Sequence, residues 1–386
     1  MDSDPGKTIL AKDFDESLAP TIARDGEDFV VHQNAGLIRQ YENFGEEKRI
    51  SWTTHLRLIR KLGSGGQGVV YLTERRGADT FSLPVALKVF SPEHYETPNL
   101  YDSDMARMAR VAARIARIQH ENLLVVENFL DRDRIRMMVM EWVEGFDLRR
   151  LLTPRMFGIM KERTSERRWN YINEVLVTSG PVQPRFKPGV AVAVIRNCLE
   201  ALAALHRNGI IHGDVKPGNI MLKRSGHAKM IDMGSAFEME DPPQRPACTP
   251  AYSSIEVLEK RGNTKLSDLA SLGYVTIELL SGAPPFHGIN KLSKLIEAKY
   301  ELPDRLESIL PEEVAENDLL MSFCRGLIAP EPEHRFPSAE AAELLEEGAA
   351  AFHRQLIKND MASEYENDIR IWIDELLDLN LDEVQN

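Results

Sequence analysis

The chain has 386 residues, of which 43% are hydrophobic and 28% are charged, and both values are ordinary for a globular protein. Its length predicts two or three compact units around a sizeable core. The net charge of −13 argues against nucleic acid as the main partner.

The three cysteines, Cys198, Cys248 and Cys324, lie far apart and have no metal-ligand spacing. This pattern predicts a reducing, cytoplasmic location and no disulfide framework. The N-terminus has no signal-peptide pattern, and no apolar run approaches the ~18 residues that a membrane helix needs. We therefore expect no membrane span.

Residues 1–51 are predicted to form an acidic N-terminal extension that is partly disordered. The first 50 residues contain eleven acidic and six basic side chains, with few sustained apolar patterns. Only residues 28–31 and 35–44 have patterns that predict order, the first as a short strand and the second as a helical turn.

A glycine-rich stretch follows the strand-like residues 56–59. Residues 63–68 read GSGGQG, and β-branched and aromatic residues follow at 69–71. A dinucleotide-binding loop with a similar pattern should open a helix, whereas these residues predict a second strand. Because glycine lets the backbone close over phosphates without a side-chain clash, the stretch predicts a phosphate-covering hairpin.

An apolar strand at 83–90 contains one lysine, Lys88. This lysine is either buried in the strand for a function or, as is common for an isolated lysine, lies at a sheet edge and extends into solvent. The composition of residues 104–119 predicts a helix, and two further strands are predicted at 125–130 and 136–141.

Residues 153–188 are predicted to be a basic surface insert of a helix plus a loop. They contain seven basic and three acidic residues. The apolar residues 190–207 then predict a helix that runs through the core and leads into the next loop.

Residues 211–219 read IHGDVKPGN and place Asp214, Lys216 and Asn219 in one tight loop. The carboxylate can orient an attacking hydroxyl and accept its proton, the lysine can neutralise a transferring phosphoryl group, and the amide carbonyl can hold a metal ion. Asp232 follows the apolar strand 228–231, where it can bind Mg²⁺. Either motif alone would also fit an ordinary α/β loop.

Together the two motifs resemble those of the eukaryotic-type (Hanks-type) serine/threonine protein kinases, in a divergent form. Gly213 replaces the family's arginine, Met233 replaces its phenylalanine, and Lys216-Pro217 resembles the Ser/Thr branch. The resemblance implies the α+β, two-lobed protein-kinase fold. It predicts a small β-rich N-lobe at 52–145 and a larger helical C-lobe at 146–353.

The resemblance also implies ATP as the nucleotide, with Mg²⁺, or alternatively Mn²⁺, as the metal. Lys88 would grip the α- and β-phosphates, Val70 would cover the adenine, and Met140 would guard the back of its site. The main chain of Glu141 and Val143 would bind adenine. The implied ATP-binding residues are Gly63, Gly65, Gly68, Val70, Ala86, Lys88, Met140, Glu141, Val143 and Asp147, the last of these on the ribose, and the implied metal ligands are Asn219 and Asp232.

Further family motifs follow in the expected order. By resemblance, Thr249 would contact Asp214 and Lys216, and Asp268 would tie down the catalytic-loop backbone. Glu256, in a Ser-Ile-Glu triplet that replaces Ala-Pro-Glu, would pair with Arg335. Seven motifs cover about residues 52–350.

One family feature is missing from the sequence. The family places a glutamate on the small-lobe helix as the partner of the strand lysine, but the usual spacing falls on Val111, and residues 105–119 contain no carboxylate. Either a shifted helix brings Asp104 to Lys88, or Asp232 and the phosphates alone hold this lysine.

Residues 354–386 are predicted to be an acidic amphipathic tail. From Leu356 onward the chain has nine acidic and two basic residues, and apolar residues, among them Trp372, recur at helical spacing. Packing on the chain's own large lobe is the simplest interpretation, and a separate docking partner is the alternative.

We therefore expect a slow but working kinase that transfers the γ-phosphoryl group of Mg-ATP to Ser/Thr hydroxyls of protein substrates. A pseudokinase that binds nucleotide or acts as a scaffold is the main alternative. A small-molecule phosphotransferase would share Asp214 and Asp232, but it would lack the segment with Thr249 and Glu256.

Overall fold

The computed structural model describes residues 9–10, 34–44, 46, 50–51, 55–243, 247–358 and 365–379, and the statements below refer to these residues. The strand predicted at 28–31 lies outside them, as do most residues of the predicted N-terminal extension.

The strands of the described residues are short outside the N-lobe. They are β1 (Ile9–Leu10), β2 (Ile50–Ser51), β3 (His55–Gly65), β4 (Gly68–Arg76), β5 (Ser82–Phe90), β6 (Val126–Arg132), β7 (Ile135–Glu141), β8 (Gly145–Asp147), β9 (Val177–Thr178), β10 (Arg185–Phe186), β11 (Ile210–Ile211), β12 (Ile220–Lys223), β13 (Ala228–Met230), β14 (Phe237–Glu238) and β15 (Ala247–Cys248).

The helices lie mainly in the second half of the chain. They are α1 (Ala35–Phe44), α2 (Pro98–Ile115), α3 (Leu148–Leu151), α4 (Pro154–Arg163), α5 (Glu166–Tyr171), α6 (Pro188–Arg207), α7 (Ile255–Leu258), α8 (Lys265–Ser281), α9 (Leu292–Ile309), α10 (Glu312–Ala315), α11 (Asp318–Ile328), α12 (Ala339–Leu344), α13 (Ala349–Lys358) and α14 (Tyr365–Asp378).

The N-lobe is a six-stranded antiparallel sheet in the order β2-β3-β4-β5-β7-β6. The glycine-rich stretch forms the β3–β4 hairpin, as predicted, with Gly66 and Gln67 at its turn. A helical C-lobe around α6, α8 and α11 follows, so the predicted α+β, two-lobed architecture is confirmed.

Helix α2 starts and ends earlier than the predicted 104–119. The Thr97 side chain caps it by accepting a hydrogen bond from the main chain of Leu100 at 3.3 Å, and Pro98 occupies the first turn. These two local signals set the start of the helix. Its inner face buries Tyr101, Met105, Met108, Val111, Ala112 and Ile115.

Helix α6 is the core helix predicted from its apolar residues. Among the described residues it is the one helix that is long and apolar enough to span a bilayer, and 72% of its most apolar window is buried inside the protein. Such burial is typical of a helix at the centre of a lobe. The catalytic loop follows directly through β11.

Part of the predicted extension packs on the N-lobe. Leu37 and Phe44 of α1 are buried, and the Arg132 guanidinium lies 5.5 Å from the centre of the Phe44 ring. Strand β2 pairs with β3, so the sheet begins at Ile50, two residues before the predicted boundary.

The basic insert is more regular than the predicted helix plus loop. It contains α4, α5, a π-helical turn at Ile172–Leu176 and the β9–β10 pair. Its buried side chains include Met160 and Phe186.

The tail helix α14 packs on this insert and on the C-lobe of its own chain. Its inner face buries Ile369, Trp372, Ile373 and Leu376. The Trp372 indole N–H donates to Met160 Sδ at 2.8 Å, and its ring lies edge-on to Phe186. Arg168 of the insert pairs with Glu375 at 2.9 Å. The apolar face is therefore covered within the chain.

Deletion of residues 360–386 should make the insert more sensitive to trypsin, because its apolar face would lose its cover. Trp372→Ala should destabilise the fold by about 3–5 kcal/mol, as large buried aromatic residues do. Limited proteolysis and urea unfolding measure these effects, with the exposed Asp378→Ala as the matched control. An unchanged cleavage pattern after the deletion would contradict the packing role of the tail.

Candidate active site

The catalytic loop is held by a buried carboxylate on α8. Asp268 accepts hydrogen bonds from the main-chain N–H groups of His212 and Gly213, both at 2.9 Å, and from His206 Nε2 at 2.9 Å. Desolvation raises the pKa of the Asp268 carboxyl, but these partners outweigh it and bring the pKa below its usual value. Asp268 thus fixes the backbone of the catalytic loop, as the resemblance implied.

Gly213 occupies a conformation that a larger residue would strain. Its φ is +77°, and a Cβ atom would lie 2.9 Å from the Ser235 carbonyl oxygen. The backbone conformation at this position therefore favours glycine over the family's arginine.

Three other predicted residues meet around Asp214. Lys216 Nζ lies 2.9 Å from Asp214 Oδ2, and the Thr249 hydroxyl donates to Asp214 Oδ1 at 2.7 Å. Lys216 also donates to Thr249 Oγ1 at 3.1 Å. Asn219 Nδ2 donates to the Asp214 carbonyl oxygen at 2.8 Å, which leaves its own side-chain oxygen as the metal-binding end.

Asp232 lies in the cleft between the lobes and forms a salt bridge with Lys88. Its backbone is left-handed, with φ 60° and ψ 78°, an uncommon conformation that clusters at functional sites. Desolvation raises the pKa of Asp232, but attraction and hydrogen bonding from Lys88, supported by Lys216 and the Gly234 N–H, lower it to about 2. The carboxylate is therefore ionised throughout the physiological pH range.

Asn219 and Asp232 suit a hard divalent cation. Mg²⁺ prefers oxygen ligands and is commonly held by one or two protein carboxylates together with substrate phosphates. Within the described ranges no group of three His, Cys, Asp or Glu side chains could form a metal cage of its own. The donor set fits a metal that is shared with a nucleotide.

One face of the N-lobe sheet carries four of the residues that the resemblance implies for nucleotide binding. Val70 pairs with Lys88 across β4 and β5, and Ala86 pairs with Met140 across β5 and β7. Because directly paired residues and residues two apart share a face, all four lie on the same side of the sheet. Lys88 is 4% exposed, so the alternative of a solvent-extended lysine is wrong.

Three of the four glycines in the hairpin differ in what they require. At Gly68, φ is +139° and a Cβ atom would lie 2.0 Å from the Val89 carbonyl oxygen, so only glycine fits. Gly63 and Gly65 have open space around a virtual Cβ atom, which leaves room for phosphates beside them.

The segment between the lobes places Glu141, Val143 and Asp147 along the cleft. The Glu141 carboxylate accepts a hydrogen bond from Lys229 at 2.5 Å and is therefore turned toward the C-lobe. Asp147 Oδ1 accepts from the Arg150 N–H at 2.9 Å and caps α3, and burial raises its pKa. The ribose role that was expected for Asp147 remains a prediction.

Behind the site, Glu256 and Arg335 form the expected buried pair. Two parallel hydrogen bonds of 2.7 and 2.9 Å join them. Arg335 also donates to the carbonyl oxygens of Ala329, Leu266 and Pro330. Desolvation raises the pKa of Glu256, but the hydrogen bonds and charge of Arg335 lower it by more. The net pKa is therefore below its usual value.

The suggested pairing of Asp104 with Lys88 is wrong. The Asp104 carboxylate accepts hydrogen bonds from the Tyr95 hydroxyl at 2.6 Å and from Arg107 at 2.7 Å. These two partners hold it at the N-terminal half of α2, away from the cleft.

A contact that the sequence analysis missed lies at the β3–β4 turn. The Gln67 side-chain oxygen accepts a hydrogen bond from Lys88 Nζ at 2.7 Å. The available signal was the one long polar side chain in an otherwise small GSGGQG stretch.

The protein kinase domain model matches residues 56–347, well over half of the chain. The chain belongs to the Hanks-type protein kinases. Its curated relatives include proteins named serine/threonine-protein kinases. It is 29% identical over 77% of its length to the serine/threonine-protein kinase PrkC of Bacillus subtilis, and covers 40% of that protein.

Two further relatives are serine/threonine-protein kinases. The kinase is 28% identical over 77% of its length to pkn2 of Myxococcus xanthus, and 32% identical over 60% of its length to PknL of Mycobacterium tuberculosis. It covers 33% and 51% of those proteins. The chain thus spans about a third to a half of the length of these relatives.

Arg335→Met should destabilise the kinase by about 3–5 kcal/mol, because it leaves the Glu256 charge buried without its partner. Arg325→Met is the matched control. Its pair with Glu307 is exposed, so its loss should change the free energy of unfolding by less than about 1 kcal/mol.

The difference between wild type and Arg335→Met should also depend on pH. The folded-state pKa of Glu256 is lowered, so the pair stabilises the fold above the unfolded pKa of about 4 and this contribution is lost as the pH falls below it. Urea unfolding at pH 7 and pH 3.5 measures the effect. If Arg335→Met and Arg325→Met lower the free energy of unfolding equally, the stabilising role of the Glu256–Arg335 pair is contradicted.

Proposed function

We propose that this kinase transfers the γ-phosphoryl group of Mg-ATP to Ser/Thr hydroxyls of protein substrates. The observation that carries the proposal is the cluster of Asp214, Lys216 and Thr249, of which Asp214 and Thr249 are buried. It provides a carboxylate for the acceptor hydroxyl and an ammonium within 2.9 Å of it.

Each residue has a role that follows from its chemistry. Asp214 orients the acceptor hydroxyl and accepts its proton, while Lys216 neutralises charge on the transferred group. Lys88 holds the phosphates. Asn219 and Asp232 would hold Mg²⁺, which supplies charge neutralisation when it is bound.

The Ser/Thr preference is supported by Thr249 and by the relatives. The Thr249 hydroxyl bridges Asp214 and Lys216, as the resemblance to the Ser/Thr branch implied. The named relatives are serine/threonine-protein kinases. A cytoplasmic location remains part of the proposal, and the three buried free cysteines support it.

A pseudokinase is the second candidate because of α2. Val111 is 2% exposed, and in the described helix no carboxylate stands at the family's glutamate position. On this reading the kinase would bind nucleotide and act as a scaffold. The complete Asp214 cluster favours the enzyme.

Asp214→Asn should lower phosphoryl transfer by about 10²–10⁴-fold, the usual range for a general base, and leave nucleotide binding intact. Asp232→Asn should weaken Mg-ATP binding as well. Radiolabelled ATP with casein as acceptor measures transfer, and the exposed Asp304→Asn is the control. Equal transfer by wild type and Asp214→Asn would sink the proposal.

Phosphatase treatment should leave the activity unchanged. Residues 236–247 contain no Ser, Thr or Tyr, and Gly213 replaces the arginine that could bind a phosphate there. Mass spectrometry of the protein before and after treatment provides the check. A large loss of activity traced to a phosphate between Asp232 and Glu256 would refute this view of its control.

A further inference from the structure

Lys88 is a buried ammonium whose usual helix partner is replaced by an apolar side chain. Val111 is buried on the inner face of α2, and Asp104 is bound to Tyr95 and Arg107. The C-lobe supplies one carboxylate, Asp232. Because Asp232 is also the expected Mg²⁺ ligand, Lys88 needs a second group to fix its orientation when the metal is bound.

We propose that Gln67, at the turn of the glycine-rich hairpin, is the residue that positions Lys88 in place of the missing helix carboxylate. The inference rests on the proposed function, since it assigns a positioning residue to the same phosphoryl-transfer site.

Both ends of the Gln67 amide are engaged. Its oxygen accepts from Lys88 Nζ at 2.7 Å, and its nitrogen donates to Ser235 Oγ at 2.8 Å. The side chain therefore spans the cleft from the N-lobe hairpin to the turn that follows Asp232. Because Ser235 holds the amide nitrogen, less side-chain entropy is lost when the amide oxygen orients Lys88.

The backbone of Gln67 is anchored as well. Its carbonyl oxygen accepts from the Ser91 N–H at 3.0 Å, just beyond the end of β5. Gln67 and Lys88 are thus both attached to the β4–β5 strand pair, which keeps the amide close to the lysine.

The neighbouring glycine leaves room for this contact. A Cβ atom on Gly234 would lie 2.2 Å from Gln67 Oε1 and 2.3 Å from Lys88 Nζ. Any other residue at 234 would push the two groups apart. Gly234 therefore leaves room for the Gln67–Lys88 contact.

A neutral amide has a chemical consequence that a carboxylate lacks. It accepts a hydrogen bond from the ammonium but adds no negative charge to that of Asp232, so Lys88 keeps more of its attraction for the phosphates than it would beside a second carboxylate. This hydrogen bond holds Lys88 less strongly than an ion pair would.

Gln67→Met tests the proposal, because methionine has a similar length and volume but cannot form either hydrogen bond. We expect kcat to fall about tenfold, as is typical for the loss of a hydrogen bond to a charged group. Affinity for a fluorescent, non-hydrolysable ATP analogue with Mg²⁺ should fall as well. The exposed Gln119→Met is the matched control and should change neither quantity.

Gln67→Glu separates positioning from a packing role. Its carboxylate can still accept from Lys88, so kcat should recover most of the loss seen in Gln67→Met. Its negative charge should raise the KM for ATP above the wild-type value. If kcat in Gln67→Glu is as low as in Gln67→Met, the positioning role is wrong.

A double-mutant cycle with Ser235→Ala adds a second measurement. If Ser235 acts by holding the Gln67 amide, the two substitutions should be non-additive, with the double variant close to Gln67→Met alone. Full additivity in ATP-analogue affinity would overturn the linkage. Equal thermal unfolding of all variants shows that the fold is retained.

The outcomes distinguish this proposal from the proposed function. If wild type and Asp214→Asn transfer no phosphate, the enzyme assignment fails, but the binding measurement still tests Gln67. If transfer is present and Gln67→Met matches wild type and Gln119→Met in kcat and affinity, the Gln67 proposal alone is overturned.

Discussion

The salt bridge between Lys88 and Asp232 joins the two lobes and sets the geometry of the cleft. Lys88 comes from the central region of the N-lobe sheet, and Asp232 follows a short C-lobe strand. An ammonium with 4% exposure is tolerated only where it is paired and hydrogen-bonded. The left-handed backbone of Asp232 and the missing side chain of Gly234 both lie beside this nitrogen.

Two buried carboxylates of the C-lobe fix the loops around that cleft. Asp268 binds main-chain N–H groups of the catalytic loop, and Glu256 binds Arg335 beneath the segment that carries Thr249. Both carboxyls have lowered pKa values in spite of burial, because their donors are close and well aligned. The core of the C-lobe thus holds both the catalytic loop and the end of the segment that carries Thr249. Gly213 lies in the part of the loop that Asp268 holds.

The additional elements of this kinase are attached through apolar faces. Helix α14 buries Trp372 against the insert, and α1 buries Phe44 against the N-lobe. Surface ion pairs such as Arg168–Glu375 accompany the contact but contribute only ~0.2–1 kcal/mol each. The buried aromatic residue therefore provides most of the stabilisation, and the ion pairs between the acidic tail and the basic insert add little.

The sequence by itself determined the family and the two-lobed fold, and it singled out Asp214, Asn219 and Asp232, because short motifs with fixed spacing depend on local backbone geometry. It also showed that no carboxylate stands at the position of Val111. The tertiary structure decided which group replaces it. Gln67 and Asp104 are both polar, and each could be a partner of Lys88 by its position in the sequence. Packing decides that Tyr95 and Arg107 bind the aspartate. Packing also decides that the hairpin turn places the Gln67 amide beside the lysine. Contacts between residues far apart in sequence depend on how whole elements pack, and no local pattern encodes that packing.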